Sequence, residues 1–231
     1  MATILVGIDG TGPRVMPGKK RNAAYDISFA KSWVRRLCNL HGGKATLYLR
    51  GPVMMGGGLV DAVNEGYQYA RDYMKRSVNH KVLLTGYSRG AAGVVAIANK
   101  LNRAKIPVEA IMLFDCVDRH VVIDAEVIPP NVKHVRHVVR NPAAKSRESF
   151  SNDGLRFHPE KTDYPAAYQF MCTHGGMGGM PWQPDEDQSG HDIIDEGGID
   201  GKTAVTFAQD ARGARQVWDF CTPFFTQHKF H

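Results

Sequence analysis

The sequence predicts an α/β fold, a doubly wound and mostly parallel sheet in one compact domain that spans residues 1–231. Short apolar runs alternate with segments whose apolar residues recur at helical spacing, a pattern typical of strands joined by crossover helices. Four reactive side chains fall at predicted carboxyl ends of strands, where such sheets bind ligands. These side chains are Asp9, Ser88, Asp115 and His174.

The first half of the chain supplies three predicted strands and three predicted helices. The strands are Ile4–Ile8, Ala45–Leu49 and Val82–Thr85, and the helices are Ala23–Leu40, Leu59–Met74 and Arg89–Ala104. The helix over 23–40 is predicted as one continuous element, because its apolar residues keep helical spacing until Gly42-Gly43 ends the pattern.

The second half of the chain is less regular. Val108–Phe114, Val132–Val139 and Ala167–Cys172 read as strands, with the last of them as the final strand, and Val121–Ile128 reads as a short strand or a surface arm. Residues 142–165 are polar with no clear period. The acidic, glycine-containing segment 183–202 is predicted to be a loop or lid, and a closing helix follows it.

Composition favours a globular protein that binds no nucleic acid. The chain has 231 residues, 43% of them hydrophobic, and a net charge of +6. Its basic residues are scattered, and no basic stripe interleaved with aromatic residues is present, as nucleic-acid binding would require. A peripheral contact with an anionic membrane surface stays open, and the sequence does not indicate an oligomeric state.

The cysteines and the N-terminus bear on cofactors and location. Cys38, Cys116, Cys172 and Cys221 form no C-x-x-C pair, so we expect no cysteine-based zinc site, no other metal and no cofactor. The N-terminus lacks a signal-peptide pattern, and no apolar run is long enough to span a membrane. We therefore expect a cytoplasmic protein, with export by a signal-independent route left open.

The segment His80–Ala92 carries the most specific motif. The apolar run Val82–Leu84 leads into Gly86-Tyr87-Ser88-Arg89-Gly90, and a pattern of small residues at helical spacing follows. G-x-S-x-G between a strand and a helix is typical of a nucleophile elbow, which exposes the serine at the tip of a strained turn. The alternative is an ordinary turn with a serine that caps the helix.

A serine hydroxyl needs a nearby base to become a nucleophile, and the sequence offers one in the expected order. Ser88 is followed by Asp115 and then by His174, which is the order of nucleophile, acid and base in α/β-hydrolases. Glycines flank His174 and are expected to leave room for substrate. Asp118 and Asp153 are alternative acids, and we expect Asp115→Asn to slow turnover without changing the melting temperature.

An acyl-transfer site also needs backbone donors for the oxyanion. The N–H of Arg89, at the start of the predicted helix, is one candidate. The second must come from the loop after the first strand, so Gly10 or Thr11 is expected to supply it. This loop lacks the G-x-x-x-x-G-K-[ST] pattern of nucleotide-binding loops.

These features together resemble the α/β-hydrolase domain of the type VI secretion phospholipase effectors. The shared landmarks are Asp9-Gly10-Thr11-Gly12, Gly56–Gly58 with Tyr67, Gly86–Ala91, Phe114-Asp115-Cys116-Val117 and His174-Gly175-Gly176. They span about residues 4–182 in order, and the elbow with its Arg89-Gly90-Ala91 tail is the most specific. The resemblance implies an α/β-hydrolase-like fold and a serine hydrolase that cleaves carboxylic esters of the acyl or lipid class.

Two other functions remain open from the sequence. One is a non-catalytic binding protein with an α/β-hydrolase fold, which would ordinarily have lost one of the three catalytic residue types. The other is a metal-dependent phosphoesterase that uses Asp9, Asp115 and His174. Labelling by a fluorophosphonate probe distinguishes both of these functions from a serine hydrolase, because the label requires an activated serine.

Overall fold

The computed structural model describes residues 2–12, 18–42, 45–53, 56–77, 79–118, 123, 125–151, 156–160, 164–184 and 192–231. The strands are β1 (Thr3–Ile8), β2 (Thr46–Leu49), β3 (Lys81–Tyr87), β4 (Val108–Phe114), β5 (Val127–Ile128), β6 (Val132–Arg140), β7 (Arg156–Phe157), β8 (Tyr168–Phe170), β9 (Ile193–Asp195) and β10 (Lys202–Thr206). The helices are α1 (Gly18–Ser28), α2 (Trp33–His41), α3 (Leu59–Met74), α4 (Arg89–Arg103), α5 (His174–Met177) and α6 (Phe207–His228).

A six-stranded sheet in the order β2-β1-β3-β4-β6-β8 forms the centre of the molecule. Every neighbouring pair in this sheet is parallel. The strand order reverses between β1 and β3, because the chain moves outward from β1 to β2 and then returns to the other side of β1. Such a switch point opens a crevice at the carboxyl ends of the two strands. The predicted α/β-hydrolase-like architecture is confirmed.

Helices cover both faces of the sheet, which is why its strands are apolar on both sides. Strand β1 shows the division, since Ile4 and Val6 join the core beneath α3 and α4. Leu5, between them, joins the core beneath α1, α2 and α6. The two cores hold the carboxyl ends of the strands in a fixed relation to one another.

The structure corrects the predicted single helix over 23–40, which is two helices separated at Ser32. The Ser32 hydroxyl accepts a hydrogen bond from the backbone N of Arg35 at 3.0 Å and so caps α2. The same hydroxyl donates to the carboxylate of Asp9. Helical spacing continues across the break, so periodicity alone could not reveal it.

The prediction that Ala167–Cys172 is the final strand is wrong. Only 168–170 form β8, and β9 and β10 follow as a separate antiparallel pair within and after the segment predicted as an acidic loop or lid. Glycines at positive φ build the turn between them, namely Gly197 (68°), Gly198 (59°) and Gly201 (59°). Residues 185–191 of that segment lie outside the described residues.

The regular alternation of strands and helices also ends at β4, and two short elements lie beside the main sheet. Of the segment 121–128, predicted as a strand or arm, the structure shows β5, which pairs with β7 in a small parallel sheet. The four cysteines are buried and form no disulfide. Among the described residues, no helix combines the length and the apolar composition needed to cross a membrane.

Candidate active site

Ser88 occupies the sharp turn between β3 and α4. Its backbone adopts φ 55° and ψ −129°, a region that L-residues rarely enter. The turn is held by backbone bonds on both sides, because the N–H of Ser88 donates to the Phe114 carbonyl at 3.0 Å and its own carbonyl accepts from Ala91 and Val117. Surrounding structure of this kind is what lets a strained residue persist at a functional site.

Gly86 lets β3 and α4 approach this closely, and Gly90 lets α4 approach the carboxyl end of β1. A Cβ atom on Gly86 would lie 2.6 Å from the carbonyl oxygen of Gly90, and one on Gly90 would lie 2.2 Å from the carbonyl oxygen of Asp9. Any side chain at either position would therefore force the backbone apart. The two glycines of the G-x-S-x-G pattern have the steric role that an elbow requires.

The structure brings Ser88, His174 and Asp115 into one chain of hydrogen bonds. Nε2 of His174 lies 3.0 Å from Oγ of Ser88, and its Nδ1 lies 2.7 Å from Oδ2 of Asp115. All three residues are buried. Asp118, one alternative acid, is half-buried, and Asp153, the other, lies outside the described residues. Asp115 is thus the carboxylate that contacts the imidazole.

Asp115 has a second partner that the sequence analysis missed. Nη1 of Arg140 lies 2.7 Å from Oδ2 of Asp115, and the Arg140 backbone N donates to Oδ1 at 3.2 Å. The guanidinium also donates to the carbonyls of Ser146 and Ser151. Burial acts to raise the pKa of Asp115, but its bonds and attraction to His174 and Arg140 outweigh burial and hold the pKa below its usual value.

The loop that carries His174 is anchored on α6. Thr173 caps α5, since its hydroxyl accepts from the backbone N of Gly176 at 3.0 Å. The buried Asp210 carboxylate accepts from the N–H and hydroxyl of Thr173 and from the N–H of Trp182, at 2.7, 2.9 and 2.8 Å. Asp210 follows the start of α6 by one turn, and nothing in its local sequence signals this contact.

Three of the glycines after His174 make room for protein and not for substrate, contrary to the expectation from the sequence, whereas Gly175 lines a cavity in front of Ser88. A Cβ atom on Gly176 would lie 2.4 Å from Oδ1 of Asp210, and one on Gly178 would lie 2.6 Å from the ring of Tyr87. A Cβ atom on Gly179 would lie 2.5 Å from the indole of Trp33. Close packing on three sides therefore fixes the loop that carries the histidine.

The turn between β9 and β10 also reaches this loop. Glu196 accepts from the Ser146 hydroxyl at 2.9 Å and from the Arg147 backbone N at 2.7 Å. The Ser146 hydroxyl in turn accepts from the backbone N of His174 at 2.8 Å. The hairpin predicted as a loop or lid thus supports the histidine through one bridging serine.

The candidate oxyanion loop follows β1, and its two predicted donors differ in availability. The N–H of Gly10 points to the side chain of Asp9, with an N–O distance of 3.2 Å, and that of Gly12 donates to Pro52 at 2.9 Å. The N–H of Thr11 has no acceptor among the described residues. Of Gly10 and Thr11, Thr11 is the donor that this geometry leaves for a ligand.

Tyr25 holds the oxyanion loop in place. Its hydroxyl donates to the carbonyl of Gly10 at 2.7 Å and accepts from the N–H of Gly51 at 2.7 Å. The Tyr25 ring stacks on Phe29 with centroids 4.4 Å apart.

Arg89, the other predicted donor, is the first residue of α4, where backbone N–H groups have no acceptor within the helix.

Asp9 is fully buried at the base of this loop. Burial raises its pKa to about 7, although hydrogen bonds from Ser32, Tyr48 and Gly10 oppose the shift. Its carboxylate is directed toward Ser32 and Tyr48, whereas that of Asp115 is held by Arg140 and His174. The two carboxylates therefore serve separate networks, which does not favour the phosphoesterase arrangement of Asp9, Asp115 and His174.

The raised pKa of Asp9 predicts a pH dependence of stability. Between about pH 4 and 7 the folded protein holds a proton on Asp9 that the unfolded chain has released, so the free energy of unfolding falls as pH rises, by up to ~1.4 kcal/mol per pH unit. Above about pH 7 this contribution is constant. Asn cannot titrate, so Asp9→Asn is expected to lack this component.

Denaturant unfolding of the wild type and of Asp9→Asn across pH 4–9 measures the effect. The difference in unfolding free energy between the two proteins should fall through the window and level off above it. A difference that stays constant from pH 4 to 9 would contradict the titration of Asp9 near neutrality.

A cavity of about 730 Å³ opens in front of Ser88 and His174. Most of its wall is apolar or aromatic. The residues that line it are Thr11, Gly12, Ser28, Phe29, Tyr87, Ser88, Arg89, Val117, Arg147, Phe150, His174, Gly175, Met180, Trp182 and Glu196. This composition is typical of a small-molecule site, with a few polar groups in a largely apolar pocket.

Comparison with solved structures gives distant likenesses. An uncharacterized protein from Pseudomonas aeruginosa is 15% identical, with a TM-score of 0.42 over 78% of this chain and 41% of its own. A cutinase-like protein from Cryptococcus sp. is 15% identical, with a TM-score of 0.33 over 55% and 59%. A protein assigned as a YdeN-like hydrolase from Pectobacterium atrosepticum is 14% identical, with a TM-score of 0.37 over 79% and 85%.

The chain thus spans less than two thirds of the length of the Pseudomonas and Cryptococcus proteins. No protein-family model matches the chain, and no curated protein matches it either. The fold is accordingly assigned from the strand order and the elbow of this chain itself.

Proposed function

We propose that this protein is a serine hydrolase that cleaves carboxylic esters, with Ser88 as nucleophile, His174 as base and Asp115 as acid. The observation that supports this most is the continuous hydrogen-bonded path from Asp115 through His174 to Ser88. The path ends at a cavity wall, so an ester carbonyl could reach the serine. A ligand-binding role alone would not require these three groups in this arrangement.

The reaction would proceed in two steps. His174 Nε2 takes the proton of Ser88 Oγ as the oxygen attacks the ester carbonyl carbon, and the protonated imidazole then donates this proton to the departing alkoxide. A water molecule, deprotonated by the same nitrogen, then attacks the acyl-enzyme, and the imidazolium returns this proton to Ser88 Oγ as the acid leaves. Asp115 accepts from Nδ1–H and stabilises the transient imidazolium.

The developing negative charge on the carbonyl oxygen would bind to backbone N–H groups. We assign these donors to Thr11 and Arg89, which approach from the loop after β1 and from the start of α4. Fixed dipoles of this kind cost no reorganisation during the reaction, which makes them effective catalysts. Tyr25, which bonds to Gly10 and Gly51, keeps the Thr11 side of the pair in position.

The cavity favours an acyl chain as the substrate group that lies beside Ser88. Phe29, Phe150, Met180 and Trp182 line it, and these side chains would bury the chain of a medium-length ester. The resemblance of the sequence to the type VI secretion phospholipase effectors also supports a lipid ester. Membrane lipid could be approached by a peripheral contact, since the chain carries a net charge of +6.

Hydrolysis of p-nitrophenyl esters of increasing acyl length tests this proposal. We expect turnover with short and medium chains, and unchanged turnover after treatment with EDTA, because the proposed mechanism uses no metal. Activity on phosphate monoesters that disappears in EDTA and returns with a divalent ion would instead establish the phosphoesterase function. Failure of every ester, together with no fluorophosphonate labelling, would leave the non-catalytic binding protein.

A further inference from the structure

We propose that Glu109, His134 and His228 form a binding site for a transition-metal dication of the Zn²⁺ type, distinct from the proposed active site. Their ligand atoms all lie within 4.8 Å of one another. Glu109 is near the start of β4, His134 is near the start of β6, and His228 is the last residue of α6. The cluster is thus at the amino ends of the strands, whereas Ser88 lies beyond their carboxyl ends.

The imidazoles of His134 and His228 have ring nitrogens available as metal ligands. Their rings lie against each other with centroids 4.4 Å apart. Neither ring makes a hydrogen bond to another described residue, and His228 is only 7% exposed. A metal ion between the two rings would bind one nitrogen of each.

The donor set selects the class of ion. Two imidazoles and one carboxylate with an open fourth position match three-ligand zinc sites, in which water completes the tetrahedron. Ca²⁺ and Mg²⁺ prefer oxygen ligands and should bind poorly to two nitrogens.

The ammonium groups of Lys81 and Lys133 would repel a bound dication, and replacing one of these lysines provides a test. Lys81 Nζ lies 2.9 Å from Oε1 of Glu109, and Lys133 Nζ lies 3.1 Å from Oε2. Their charges repel a dication and occupy lone pairs of the carboxylate. The lysine side chains are 40% and 55% exposed, so either ammonium can turn into solvent when an ion binds.

Calorimetric titration of the full chain with ZnCl₂ tests the proposal. We expect one Zn²⁺ per chain, tetrahedral visible absorption bands when Co²⁺ replaces it, and a higher melting temperature with Zn²⁺. His134→Ala should weaken binding at least tenfold, the scale seen even for residues that only support metal ligands. His134 is exposed, so this variant should remain folded.

Two further variants make the result specific. Lys133→Ala should tighten Zn²⁺ binding, because it removes a competing charge from the Glu109 carboxylate. His158→Ala, at an imidazole outside the cluster, should leave the isotherm unchanged. No heat of binding at submillimolar Zn²⁺, or an isotherm that His134→Ala leaves unaltered, would overturn the proposal. Ester hydrolysis is a separate readout, so neither result depends on the proposed function.

Discussion

Ser88→Ala is expected to abolish ester hydrolysis, with a fall in kcat of about 10⁴ to 10⁶, the range for loss of a triad nucleophile. The reason is geometric, since Ser88 Oγ is the oxygen that lies 3.0 Å from Nε2 of His174. Steady-state kinetics with a p-nitrophenyl ester measure the loss. Labelling by a fluorophosphonate probe, located by mass spectrometry, should be on Ser88 in the wild type and should vanish in the variant.

Ser77→Ala supplies a matched control for this experiment. Ser77 lies after α3, and its hydroxyl accepts from the backbone N of Asn79 on an exposed surface. We expect wild-type kinetics and labelling in this variant. A probe found on another serine, or esterase activity that survives in Ser88→Ala, would refute Ser88 as the nucleophile.

Asp115→Asn should lower kcat by about 10³ to 10⁴, because an amide cannot hold the imidazole in the tautomer that accepts the serine proton. The structure changes the expectation that stability is unaffected. Arg140 is 3% exposed and pairs with Asp115, so the variant leaves a buried cation without its anion. Breaking such a pair costs about 3–5 kcal/mol. The melting temperature should therefore fall by roughly 10 °C.

Activity and stability must accordingly be measured separately. Denaturant unfolding gives the free energy of unfolding, and kinetics are read at a temperature where the variant is fully folded. Asp118→Asn is the control, and it should change kcat by less than about threefold, because the carboxylate that bonds to His174 is that of Asp115. If Asp118→Asn were as damaging as Asp115→Asn, the assignment of Asp115 as the acid would be wrong. The assignments of Ser88 and His174 would still stand.

The elements that could be predicted from the sequence are those that depend on residues close together in the chain. The strand β3, the turn at Ser88 and the helix α4 lie within one short segment, and Gly86 and Gly90 mark the steric requirement directly. The strand that ends before Asp115 was equally clear, since Val108–Phe114 is apolar at every position except Glu109. Strands buried on both faces have that signature whatever surrounds them.

The features that could not be predicted depend on contacts between distant parts of the chain. Arg140 meets Asp115 only because β6 lies beside β4 in the sheet, and strand order is not encoded near either residue. The break at Ser32 depends on Asp9, and the support of His174 by Glu196 depends on a hairpin of two short strands. Short strands with glycine turns resemble loops in sequence, so the sequence predicts a loop or lid for the segment 183–202.

The glycine-packed loop of His174 has a consequence for how this site could acquire new substrates. Gly176, Gly178 and Gly179 have no space for larger side chains, so the base and its surroundings offer almost no room for variation. The side chain of Trp182 is different, because it lines the cavity and its hydrogen bond to Asp210 is made by the backbone. A library directed at this position should therefore reshape acyl selectivity while the reactive groups keep their geometry.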